Sequence, residues 1–186
     1  MVKTASDTVH SSLKGTHAMT LLDAPVYDEA RERRHQLLLY SLAGLLLALF
    51  VGFWLAASRP VDWPWNWYSH LRGRITADRF LTAVEKNDLP AAYGIWLHDP
   101  QWQQHPAQYT AYSFDRFQDD WSSQSPDNDY GAIKSHKIVL ATMHGNVLLM
   151  AILVNGRKSK ALNLDYDPKT HALNFSPPGI ELYLGP

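Results

Sequence analysis

The sequence predicts an α+β domain, two to three helices packed on an antiparallel sheet of four to five strands, carried behind one transmembrane helix. Three observations predict it. An uncharged apolar run covers residues 37–57. Apolar residues then recur at helical spacing as far as Trp121. From Tyr130 onward the period shortens to two, and turn signals separate the runs. Helical segments that precede strand segments, rather than alternating with them, point to α+β.

Length and composition set the frame. The chain's 186 residues suit one folded domain plus extensions. Formal net charge is −1, and no basic stripe marks a nucleic-acid partner, so none is expected. Seven Trp and nine Tyr are many for this length, and such residues gather at membrane boundaries and interfaces. There is no cysteine, which excludes disulfides, thiolate nucleophiles and Cys-ligated metals.

Residues 1–30 form a polar tail rich in Ser and Thr, expected to be disordered. Residues 31–58 hold the membrane helix and its basic lead-in. The run from Leu37 to Ala57 has about 21 residues, enough to cross a hydrocarbon core of roughly 30 Å. A cleaved signal peptide would be shorter and nearer the N-terminus, so an uncleaved signal-anchor is expected. Arg31, Arg33 and Arg34 precede the helix while Arg59 alone follows closely, which favours a cytoplasmic N-terminus and an extracytoplasmic C-terminal domain at the cell (inner) membrane. Counted out to Arg72 and Arg74, the bias vanishes. Gly44, Ala48, Gly52 and Ala56 form a stripe along which another membrane helix can approach.

Residues 59–73 read as an interfacial linker. Pro60 and Pro64 oppose helix continuation, and Trp63, Trp65, Trp67 and Tyr68 are placed to anchor at the bilayer surface. Residues 74–186 form the soluble domain. Ala77, Phe80, Leu81 and Val84 mark a first helix. Asp88 caps a second, with Leu89, Ala92, Tyr93, Trp96 and Leu97 on one face. Phe114, Phe117 and Trp121 mark a third, its wet side carrying Asp115, Arg116, Asp119 and Asp120. Strands follow at Lys134–His144, Val147–Val154, Lys158–Tyr166, His171–Phe175 and Ile180–Leu184, with Asn155-Gly156 the strongest turn signal. The run VLLMAILV is apolar on both faces, so one face meets the helices and the other asks for cover, from the C-terminal segment or from a partner.

The stretch ADRFLTAVEKNDLPAAYGIW resembles the opening of nuclear transport factor 2-like domains, also called SnoaL or ketosteroid isomerase-like. That resemblance implies a curved sheet wrapped round the helices into a cone, a concave pocket, and often a dimer through the sheet. A cystatin-like arrangement of one helix on a sheet is the rival. No catalytic motif of the superfamily can be matched residue by residue. By architecture alone, the layout also resembles the VirB-type inner-membrane subunit of type IV secretion systems.

Tyr93, Trp96, Trp102, Tyr112, Phe117 and Trp121 are either core or the lining of a pocket for an apolar ligand. The nine His show no His-x-x-x-His or His-x-His spacing, and there is no Gly-rich phosphate loop or Gly-x-Ser-x-Gly elbow. No metal, cofactor or catalytic residue is therefore expected. The expected function is a membrane-tethered binding or accessory domain whose partners are the bilayer and a membrane or envelope protein, or a second copy. The alternative is a small apolar-ligand binder or enzyme using the cone.

Overall fold

The computed structural model describes residues 28–158 and 160–176. Residues 1–27 of the expected tail and the strand expected at Ile180–Leu184 lie outside the described residues.

Helix α1 spans Glu29–Ala56. The Asp28 carboxylate caps it, accepting from the backbone N–H of Ala30 and Arg31 at 3.1 and 3.2 Å. None of its residues is buried, and it is long and apolar enough to cross a membrane. It ends in a Schellman motif: Ser58 takes a left-handed φ of 66°, Ser58 N–H donates to Leu55 and Arg59 N–H to Trp54, and Pro60 blocks further winding.

Helix α2 runs over Trp67–Glu85, one 3₁₀ turn at Pro64–Asn66 preceding it. It starts ahead of the expected domain boundary at residue 74, because the buried stripe continues backwards through Gly73, His70 and Trp67. Asn87, at φ 58°, closes α2 with the same pair of bonds, to Val84 and Ala83. The next residue, Asp88, caps α3 (Leu89–Leu97) by accepting from Ala91 N–H at 3.2 Å. His98, at φ 55°, ends α3 in the same manner. The expected loop after it contains 3₁₀ turns at Trp102–Gln104 and Pro106–Tyr112. Helix α4 spans Phe114–Trp121, capped by Ser113.

Four strands make one antiparallel meander, β1 (His136–His144), β2 (Val147–Val154), β3 (Leu162–Tyr166) and β4 (Leu173–Phe175), in spatial order β1-β2-β3-β4. Gly145 at φ 60° opens the two-residue β1–β2 connection, as tight hairpins require. A bulge between Ile138 and Leu140 shifts the register of β1. Asn155 and Gly156 both take positive φ, and Arg157 N–H closes the turn on Val154 at 3.0 Å. Strand β3 nevertheless begins only at Leu162, four residues later than Lys158.

The core lies between the helices and one sheet face. Leu148, Met150, Ile152 and Val154 of β2, with Leu162, Leu164 and Tyr166 of β3, meet Ala77, Phe80, Leu81, Tyr93, Trp96, Phe117 and Trp121. On the other face of β2, Leu149 is 2% exposed and Ala151 0%. Val147 and Leu153 at the two ends of that face are partly exposed. Leu140 of β1, paired with Ala151, is 38% exposed.

Candidate functional site

Helix α2 has two working faces. His70, Gly73, Ala77, Phe80 and Leu81 turn to the core, so Arg72, Ile75, Thr76 and Arg79, spaced i, i+3, i+4, i+7, line the opposite side. Helix α3 divides likewise: Leu89, Ala92, Tyr93 and Trp96 go inward, while Pro90, Ala91, Gly94, Ile95 and His98 line the outside. Together with Pro100 these outer faces border an open groove of about 620 Å³. That lies within the range of small-molecule sites, roughly 300–1,000 Å³. Its floor is apolar and its polar groups are two guanidiniums, an imidazole and a threonine hydroxyl. No carboxylate pairs with Arg72 or Arg79 among the described residues.

At the Arg72 end, the His98 and His171 rings stand edge to face, 5.2 Å apart. The His171 Nδ1 is 2.7 Å from the Tyr166 hydroxyl. Burial pushes that hydroxyl's pKa up, and the Arg72 guanidinium nearby acts against the rise. Sequence reasoning missed this groove, since a hydrophobic-pattern search reads Arg72 and Arg79 as an ordinary solvated face.

The expected pocket residues sit elsewhere. Tyr93, Trp96, Phe117 and Trp121 are buried against one another, with ring centroids 5.0–6.1 Å apart. Tyr93 donates to the Tyr112 carbonyl at 2.5 Å. Tyr112, whose pKa burial and Asp120 drive well up, donates to Asp120 at 2.9 Å. Trp102 packs edge-on against Tyr93 at 4.8 Å and borders a shallow outer cleft with Tyr109 and Phe114. These rings fill the space between helices and sheet.

The linker is divided. Trp63 and Trp65 stack in parallel 5.0 Å apart and stay open, 68% and 70% exposed, and Tyr68 is exposed too. Trp67 is buried, unlike its expected role at the surface. Its ring contacts Phe50 and Phe53, and its indole donates to the Asp62 carbonyl at 2.9 Å. The Asp62 carboxylate in turn binds buried His70 at 2.5 Å and accepts from Met143 N–H of β1 at 3.4 Å. One linker aspartate thereby joins the connection to α2 and to the sheet. Gly44 and Gly52 have nothing within 4 Å of a Cβ position, and Ala48 and Ala56 are exposed, so the small-residue stripe is open.

Two further His residues bind carboxylates away from the groove. His105 and Tyr109 both bind Asp99, at 2.7 and 2.6 Å, and these bonds help hold that carboxyl below its usual range, the Tyr109 hydroxyl most of all. His136 bridges Glu85 at 2.7 Å and Asp78 at 3.0 Å. Among the described residues, no three His, Asp or Glu converge as a metal site. Comparison with known proteins returns no matching family model, no matching curated protein and no matching solved structure.

Proposed function

We propose that the chain is a membrane-tethered binding module. Helix α1 is its signal-anchor, the N-terminus lies in the cytoplasm, and the domain contacts a membrane or envelope protein, or a second copy, on the far side. The observation that carries this reading is the mounting of the domain. A long apolar helix with no buried residue runs, through a short connection pinned by Asp62, into α2. A single-pass anchor that existed only to retain the domain would not need a pinned exit. Fixing the exit supports a role in presenting the domain to something in the same membrane. The fold order, helices followed by an antiparallel meander, is consistent with the nuclear transport factor 2-like resemblance. The rival reading, an apolar ligand inside a cone, is weakened because aromatic rings occupy that space.

Photo-crosslinking amino acids at Gly52 in α1 and at Tyr68 in the domain test the proposal in intact cells. Discrete protein adducts, identified after mild detergent extraction, are expected from both positions. Lipid adducts alone, with only monomer recovered, would defeat the binding-module reading.

A further inference from the structure

We infer that the outer groove between α2 and α3 is a binding site for a small organic anion with an apolar body, an aryl or acyl carboxylate. This goes beyond the tethered-module reading and does not depend on it. The groove combines three features that a solvated helix pair does not need together. Its volume, about 620 Å³, suits one small molecule. Its floor exposes Ile75, Ile95 and Pro90, and Ile75 remains 40% exposed between two arginines. Its ends carry fixed positive charge. Arg72 and Arg79 lie seven residues apart, about 10.5 Å along the helix, and neither is neutralised by a carboxylate among the described residues. A guanidinium keeps its charge and grips a carboxylate with paired donors. An apolar body laid over Ile75 and Ile95 places a terminal carboxylate within reach of Arg72, with His98 beside it, or of Arg79. A neutral ligand gains the floor but leaves the guanidiniums unused, and an inorganic anion does the reverse.

The test uses the full chain in lipid nanodiscs and 4-benzoylbenzoate, a photoreactive aryl carboxylate, with 4-benzoylbenzamide as its neutral counterpart. Saturable labelling within residues 71–100 is expected, competed by octanoate. The amide should label this segment at least tenfold less. Arg72→Gln and Arg79→Gln are exposed substitutions, and whichever removes the guanidinium that holds the carboxylate should weaken apparent affinity about tenfold or more, the loss of one charge-assisted contact. Ala91→Trp should block the groove by volume while leaving the melting temperature unchanged. The inference is overturned if labelling is not saturable, if the amide labels equally, or if none of the three variants reduces it. Labelling confined to α1 would mean partition into the bilayer and would overturn it too. Partner adducts at Gly52 and Tyr68 are read separately, so either proposal can fail without the other.

Discussion

Gly73 shows how much one missing methyl decides. It sits on the buried stripe of α2, where a Cβ would come within 2.6 Å of Leu148 and 2.9 Å of the Tyr166 ring. The helix approaches the sheet this closely only because nothing projects there. Gly73→Ala should destabilise the domain by about 1–3 kcal/mol through overpacking, read by thermal or urea melting of the full chain. Asp165 offers a second residue-scale test. It is nearly buried, and burial raises its pKa while the Ser176 hydroxyl, donating at 2.6 Å, partly opposes the rise. A carboxyl with a raised folded pKa favours folding at low pH, below its unfolded value, and loses that contribution as pH climbs through the folded value. Asp165→Asn should therefore raise the melting temperature at pH 7–8 and have little effect near pH 3. Equal effects at both pH values would contradict the burial argument. Neither residue was legible in the sequence, because a glycine in a helix and an aspartate in a strand both read as breaks rather than as packed positions.

At the scale of elements, the helix ends carry the clearest local logic. Three helices close with a left-handed residue that is not glycine: Ser58, Asn87 and His98. Asn87 is the best tolerated of these in that conformation, and it is followed at once by the α3 cap. Asp88→Ala should cost about 0.5–2 kcal/mol, whereas Asn87→Gly should be close to neutral. A melting series on the two variants distinguishes cap from turn. The sequence predicted α3, α4 and β2 well, since their apolar residues are large and regularly spaced. It placed the start of α2 too late, because His70 and Gly73 on the buried stripe are not apolar signals. It placed β3 too early, because alternation from Lys158 continues through a connection that does not pair. The groove was invisible to pattern reading for the converse reason. Its floor is made of single apolar residues on helix faces whose neighbours are charged, and only the packing of two helices brings them together.

For the molecule as a whole, α1 is the helix among the described residues that is long and apolar enough to cross a membrane. Replacing Leu45 and Leu49 by Arg should cost about 5–7 kcal/mol of insertion and move the protein out of the membrane fraction. Retention through alkaline extraction would show that another segment holds it. A reporter fused after Pro186 should be active only outside the cytoplasm if Arg31, Arg33 and Arg34 set the orientation. The two-sorted tryptophans have a further consequence. Trp63 and Trp65 are open beside the end of α1, while Trp96 and Trp121 are sealed among core rings. In a variant with Trp54, Trp67 and Trp102 replaced by Phe, the emission of these four should therefore divide. Lipids brominated near the headgroup should quench the first pair and spare the second, whose red shift on denaturation reports only the core. Such a variant would carry a two-channel fluorescence gauge with no label attached, one channel reading any contact of Trp63 and Trp65 with lipid and the other the integrity of the domain.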